Sequence, residues 1–411
     1  MRSLNKVLSV VCISGVLTLP ACNQGAETEA AVVRDSAGVT IVENFGGTWE
    51  EGQEWLATSM PTLNIGVLDG APEYQLFRVR NALRLSNGHI VVAASNELRF
   101  YDAEGGYLQT SGREGGGPGE FQQLGWVRPY PGDSISAYDF GQVRVSLLDA
   151  AGEFGRSYRI VPEGEQSFVM GENVFSDGTI LIKAPLIFRG GFDEGSSRSD
   201  EEFYTYSTTG EFIDSVATLP GPDQFIQTGG DSERRFVSIS QPPFGRESVL
   251  DVFGSGFYFG SADSYEIELH SQDGTLQRLI RKSFTPRRVT DDDVAAHIER
   301  ELAEADDDDE RRRRRQTFDD MPVPEIMPAY ADLKVDELGN IWVQEFDPDE
   351  DAASVWTVFY PDGQMLGTVT LAAGFEVNQI GDNFLLGVWR DDYDVEHIHM
   401  YGLIKPGREG A

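Results

Sequence analysis

A short turn centred on glycine or aspartate, set between two apolar stretches, recurs along this chain and constrains its fold more than any other feature. It is clearest in Leu83-Arg-Leu-Ser-Asn-Gly88-His-Ile-Val-Val, Val174-Phe-Ser-Asp-Gly178-Thr-Ile-Leu-Ile and Leu333-Lys-Val-Asp-Glu-Leu-Gly339-Asn-Ile-Trp-Val, with weaker copies at Asp133, Gly256 and Asp382. A second turn, typified by Tyr101-Asp102 to Gly105, returns at Asp149 to Gly152, Ser207 to Gly210, Ser271 to Gly274 and Tyr360 to Gly363. Asn-Gly and Asp-Gly between alternating apolar residues mark hairpins, because these residues accept positive φ at little cost. Two hairpins per unit give four antiparallel strands per unit.

The turns at 88, 133, 178, 256, 339 and 382 are 45, 45, 78, 83 and 43 residues apart. A four-stranded unit of about 45 residues falls in the range of propeller blades rather than of helical or leucine-rich repeats. With the two long gaps trimmed to one unit each, the span from Thr62 to Ile404 holds six units. The predicted fold class is therefore all-β, a six-bladed β-propeller of four-stranded antiparallel blades over 36–405, with one helical insertion at 286–329. The last unit runs out after three strands, whereas Leu63-Asn-Ile-Gly-Val followed by Gly70-Ala-Pro-Glu-Tyr74 repeats the end of the first, Gln109 to Phe121. An N-terminal strand is thus expected to close the last blade and leave no open edge. In its Asp-Gly turns, its Tyr-Asp-x-x-Gly turn and its Gly117-Pro-Gly-Glu-Phe121 link, the sequence resembles the bacterial six-bladed β-propeller lipoproteins related to the NHL-repeat and TolB-like propeller group. That resemblance implies a fold rather than an activity, since propellers host unrelated functions.

The N-terminus carries an address. Arg2 and Lys6 precede an apolar run, Val7 to Leu19, that is long enough for a signal-peptide core and too short to span a bilayer. Leu19-Pro20-Ala21-Cys22 resembles the bacterial lipobox, which implies a signal peptide over 1–21, lipid attachment at Cys22 and a tether over 22–35. Two or three acyl chains anchor a protein stably, at about 0.8 kcal/mol per buried methylene. Cys12 is the one other cysteine and lies in the segment removed, so a disulfide scaffold, a thiol nucleophile and a zinc–cysteine site are excluded. Asn23 after the cysteine resembles lipoproteins sent to an outer membrane. The expected location is the cell envelope, lipid-anchored, at an outer membrane and facing the periplasm or the cell surface.

The formal charge is −35, and −37 once Arg2 and Lys6 are removed, which excludes nucleic acid as a partner because phosphate binding needs a basic footprint. The arginine run Arg311 to Arg315 does not supply one. It follows Asp306 to Glu310, so acid-first i,i+4 pairs such as Asp307 with Arg311 and Glu310 with Arg314 neutralise it on a helix. The pattern predicts one helix from Thr290, its N-cap, to Arg315, with Val294, Ile298 and Leu302 as an apolar stripe resting on the ring.

Candidate chemistry is sparse. Gly112 to Glu120 is glycine-rich but lacks the Gly-Lys-Ser/Thr ending of a phosphate loop and reads as a link between blades. Asp347, Asp349 and Asp351 alternate in a loop, a spacing that suits calcium, although Ala352 replaces the usual turn glycine. His397 and His399 share one face of a strand, a spacing that suits zinc. Strand position alone directs Arg80, Asn81, Asn173, Asp332 and Asn378 to the central channel. Two functions remain open. The first is an envelope lipoprotein whose propeller is a binding or scaffold module for a protein, peptide or glycan. The second is a metal-dependent hydrolase or lyase, lactonase-like or amidating-lyase-like, with calcium or zinc at the channel.

Overall fold

The computed structural model describes residues 30–162, 168–188, 194–230, 235–305 and 307–406, so the signal peptide, Cys22 and the first part of the tether lie outside the described residues. The chain opens with a hairpin of β1 (Ala31–Ser36) and β2 (Val39–Asn44), followed by β3 (Leu56–Ala57) and β4 (Leu63–Ile65). The tether expected over 22–35 is therefore already strand from Ala31, because Asp35-Ser-Ala-Gly38 turns the chain back, with Ala37 and Gly38 both at positive φ.

A series of antiparallel sheets follows, each built from a run of adjacent hairpins. β5 (Val79–Arg84), β6 (Ile90–Ala94), β7 (Glu97–Tyr101) and β8 (Tyr107–Ser111) pair in order, as do β9 (Leu124–Tyr130), β10 (Ser134–Asp139), β11 (Arg144–Leu148) and β12 (Phe154–Arg159). After β13 (Met170–Val174) and β14 (Ile180–Pro185), β15 (Gly195–Ser197) leaves for another sheet. The third four-stranded sheet is completed by β16 (Asp200–Tyr206) and β17 (Phe212–Pro220). β18 (Gln224–Gly230) and β19 (Arg235–Ser240) join β15 in a separate three-stranded sheet, which accounts for the first long gap in the repeat. β20 (Val249–Phe253), β21 (Gly256–Gly260), β22 (Glu266–Ser271) and β23 (Leu276–Lys282) come next. After the helices lie β24 (Tyr330–Val335), β25 (Ile341–Glu345), β26 (Val355–Phe359) and β27 (Met365–Thr370), then β28 (Glu376–Ile380), β29 (Phe384–Arg390) and β30 (Glu396–Ile404). The described residues form seven sheets in all.

The first strands of the six larger sheets pack in a cycle: β5 on β9, β9 on β13, β13 on β20, β20 on β24, β24 on β28 and β28 back on β5. This is a propeller-like arrangement, and the core lies between neighbouring sheets. At the join of the last sheet and the first, Leu63, Ile65, Ile90, Val92 and Tyr101 bury against Phe384, Leu386 and Ile398. Each such side chain contributes about 1.5–3 kcal/mol on burial. The closing strand is β4, with Asn64 opposite His399 on β30.

The N-terminal segment does more than close the last sheet. β2 adds in parallel to β23, with Asn44 opposite Lys282. The chain then crosses β27, where the backbone N–H groups of Thr48 and Trp49 both donate to the Leu366 carbonyl at 2.9 Å. It reaches β30 through β3, pairing Leu56 with Ile404. Asn44 is buried and stitches two sheets, its Nδ2 donating to the carbonyls of Arg281 and Gly363 at 3.0 Å while its Oδ1 accepts from the Met365 N–H at 2.7 Å.

The insertion holds two helices, α1 (Asp291–Ala303) and α2 (Asp308–Asp320), rather than the single helix expected from Thr290 to Arg315. Thr290 caps α1 in a reciprocal capping box with Asp293. The break has an electrostatic cause. A run of aspartates is unfavourable at a helix C-terminus and favourable at an N-terminus, so Asp307 becomes the N-cap of a new helix, accepting from the Glu310 N–H at 2.8 Å. Of the acid-first i,i+4 pairs, Glu310 with Arg314 forms at 2.8 Å, whereas Asp309 pairs with Arg312 one residue closer. No helix of the described residues is long and apolar enough to cross a membrane.

A cleft and a channel as candidate functional sites

The inner strands line two openings, which share Asn378. Register shifts mark several of them, leaving Arg80 as the extra residue in β5, Glu172 in β13, Ala331 in β24 and Asn378 in β28. Such bulges re-aim side chains beside the axis of a sheet. The narrower opening, about 410 Å³, is lined by Asn81, Arg128, Asn173, Asp251, Lys334 and Asn378 among others. Three of the five residues assigned to the channel by strand position meet there, and Asp332 joins Asn378 at the wider opening. Arg80 is exposed and lines neither opening.

The channel side chains are largely engaged in joining sheets. Asn81 donates from Nδ2 to the Val127 carbonyl at 2.9 Å and accepts the Val127 N–H at 3.0 Å. Asn378 accepts the Ala82 N–H at 2.8 Å. Asp251 accepts the Val335 N–H and the Asn173 Nδ2, both at 2.8 Å. Asp332 pairs with Lys334 at 2.6 Å. Burial raises the Asp251 carboxyl above its ordinary range, with the Lys334 and Arg128 charges opposing that rise. Asp251 escaped the sequence reading because its strand, Val249-Leu-Asp-Val-Phe253, is one of the weak copies of the repeat and carries no asparagine to mark it.

The wider opening is a cleft of about 910 Å³. Its floor includes Asp332 and Asn378, and its walls are the loop before β20, the β25–β26 loop and the segment before β28. α1 and α2 contribute His297, Glu301 and Phe318 to the lining. The hairpin is docked through aromatic and polar contacts. The His297 ring lies 5.5 Å from Phe244 and 5.8 Å from Phe318, while Arg300 donates to the Pro348 carbonyl at 3.1 Å and faces Glu350 at 3.7 Å. Phe244 in turn meets Phe346 edge-on at 6.4 Å.

Phe244 holds a φ of +57°, a left-handed conformation that bulky residues rarely adopt and that persists where the surroundings enforce it. Two residues on, Arg246 is fastened to Asp223 through Nε at 2.7 Å and Nη2 at 2.9 Å, and Asp263 ties Arg246 and Arg198 together. Burial pushes the Asp223 carboxyl up, but the Arg246 and Arg198 contacts more than reverse this and hold it below its ordinary value.

Asp347, Asp349 and Asp351 stand on the cleft loop but fold it rather than converge. Asp347 accepts the Asp349 N–H at 3.0 Å and Asp349 accepts the Asp351 N–H at 3.2 Å. His397 and His399 lie on β30, beside β4 and away from both openings. His397 contacts Asn64 at 3.0 Å, and the buried His399 stacks on Trp389 at 4.9 Å. Burial lowers the His399 pKa to about 4, with the His397 charge adding to the effect. Among the described residues, no three His, Cys, Asp or Glu side chains gather closely enough to hold a metal ion.

No family model matches the chain, and no curated protein matches it. Solved structures do. A member of the DUF4221 family from Bacteroides vulgatus superposes with a TM-score of 0.50 at 11% identity, over 86% of this chain and 99% of the other. A protein from Bacteroides fragilis gives 0.47 at 14% identity, over 89% and 99%. A gluconolactonase from Xanthomonas campestris gives 0.42 at 12% identity, over 80% and 87%. At these identities the likeness concerns the fold alone.

Proposed function

We propose that this chain is a lipid-anchored cell-envelope protein, with a six-bladed propeller that serves as a binding module, and that its wide cleft takes a cationic protein or peptide segment. The six larger sheets are the blades, the three-stranded sheet is an insertion in the third, and a relation to the NHL-repeat and TolB-like group fits this organisation. The export signal and the Leu19 to Cys22 lipobox support the anchor and the envelope location.

The observation that carries the reading is the lining of the cleft. Phe244, Phe318, Phe346 and Phe375 stand among seven carboxylates. Four of these are engaged by Lys334, Lys282, Arg300 and Arg390, and Glu301, Asp347 and Asp349 form no ion pair among the described residues. A local excess of one sign concentrates ligands of the opposite sign, and aromatic faces attract cations. The hydrolase alternative draws on channel groups, and Asn81, Asn173 and Asn378 there are already hydrogen-bonded to neighbouring strands.

Fluorescence anisotropy with a labelled arginine- and aromatic-rich peptide tests the proposal. Saturable binding that weakens with salt is expected. Asp347→Asn with Asp349→Asn, and separately Phe346→Ala, should each weaken it by tenfold or more, about 1.4 kcal/mol, while leaving the unfolding midpoint near that of the parent. Absence of saturable binding, or binding indifferent to these variants, would sink the reading.

A further inference from the structure

We infer that the partner of the cleft is a second copy of this chain, two protomers pairing by laying the basic turn of α2 of each across the cleft of the other. This rests on the cleft reading proposed above and names its partner. Arg311 to Arg315 is the densest run of positive charge in an acidic sequence. Its neutralisation by the preceding acids is incomplete in the fold. Arg312 pairs with Asp309, and Arg314 with Glu310 at 2.8 Å, but Arg311, Arg313 and Arg315 are exposed and form no ion pair among the described residues. Five consecutive residues cover more than one helical turn, so a guanidinium emerges on each exposed side of the helix. The acids of α2, Asp308 to Glu310 and Asp319 to Asp320, sit in its end turns and leave its middle basic.

The cleft offers the matching charge, since Glu301, Asp347 and Asp349 line it without an ion pair among the described residues. The two features are neighbours. Arg314 donates from Nη1 to the Glu301 carbonyl at 2.8 Å, and Phe318, one turn further along α2, lines the cleft. Even so, Arg311, Arg313 and Arg315 pair with no cleft carboxylate of their own chain. A basic patch beside an acidic cleft is self-complementary: a two-fold axis between them sets each against its opposite on the partner, and the contact closes at two protomers. A cleft of about 910 Å³ takes side chains rather than a helix about 10 Å across. The helix therefore lies over the mouth and its arginines reach in, where Phe244 and Phe346 offer ring faces to guanidinium planes. An anionic lipid surface would attract the same arginines, but it would also meet the cleft carboxylates beside them, which repel it.

Sedimentation velocity of the full chain in density-matched detergent tests the pairing. A monomer–dimer equilibrium is expected whose dissociation constant rises at least tenfold from low to high salt. Arg311→Glu with Arg313→Glu, and separately Asp347→Lys with Asp349→Lys, should each weaken the dimer tenfold or more. An equimolar mixture of the two variants should restore it, because every contact in the mixed pair again joins opposite charges, and restoration also shows that both variants are folded. A chain that stays monomeric, a dimer that either variant leaves intact, or a mixture that fails to dimerise overturns the inference. The peptide anisotropy assay separates it from its premise: a monomer that still binds the labelled peptide keeps the cleft reading and loses the second copy, whereas failure of both removes the two together. In vesicles, hydrogen exchange of α2 should slow with phosphatidylcholine and phosphatidylglycerol alike and quicken in the Asp347→Lys, Asp349→Lys variant. Slowing confined to phosphatidylglycerol and indifferent to that variant overturns the inference in favour of lipid.

Discussion

Asn81 and Val127 exchange two hydrogen bonds across neighbouring inner strands, the side-chain amide of one presenting to the backbone of the other the donor and acceptor that a further strand would present. A short polar side chain thereby joins two sheets whose backbones are not themselves paired. Asn81→Ala leaves a buried N–H and a buried C=O without partners, and a loss of about 3 kcal/mol is expected. Urea unfolding should show a lower midpoint with an unchanged slope.

The turn glycines separate two effects that usually travel together. Gly274 has a φ of +83°, and a Cβ there would press into the backbone carbonyl of Val216 on the preceding sheet. Gly38 has a φ of +88° with nothing within 4 Å. Gly38→Ala should cost only the conformational penalty, about 1 kcal/mol, whereas Gly274→Ala must also move a neighbouring strand and should cost at least twice as much. Thermal unfolding of the two variants side by side provides the comparison.

His399 makes stability depend on pH with a definite sign. Its pKa falls from 6.5 in the unfolded chain to about 4 in the fold, because burial disfavours the imidazolium. The unfolded state therefore takes up the proton first. The contribution is complete above pH 6.5 and is lost as the pH falls through 4, amounting to at most about 3 kcal/mol. His399→Gln should flatten the dependence of stability on pH between 6.5 and 4 relative to the parent, as read from denaturant midpoints across that window.

Removal of the caps should loosen the helical insertion without touching the ring. Thr290→Ala and Asp307→Ala each delete a side-chain acceptor at a helix N-terminus, worth about 1 kcal/mol. Hydrogen exchange should quicken across α1 and α2 and stay unchanged in β5 and β9.

Residues close in sequence made much of this architecture legible. The glycines at 88, 178 and 339 announce their hairpins because a turn is a local event, and β4 could be assigned to the last sheet because it repeats the end of the first. Thr290 was readable as a cap for the same reason. The parallel docking of β2 on β23 was not, since it joins residues more than two hundred positions apart and follows no period. The division of the helix at Asp307 depended on which of two termini would own a run of acids. Strand position directed Asn81, Asn173 and Asn378 to the channel, but their engagement with Val127, Asp251 and Ala82 needed three dimensions. The cleft drew on Phe244, His297 and Phe346, which lie in separate loops and helices and share no motif.

The belt formed by β2, Trp49, β3 and β4 also sets an order of events. Its partners on β23, β27 and β30 are all made after the strands of the first three four-stranded sheets. The opening strands must therefore wait, unpaired, until residues near 280, 366 and 400 arrive. Closure of so non-local a ring is slow, and strands held open meanwhile invite misassembly. Maturation of this protein should accordingly be limited by the final clasp, with assistance needed most when the chain is complete but the ring is still open.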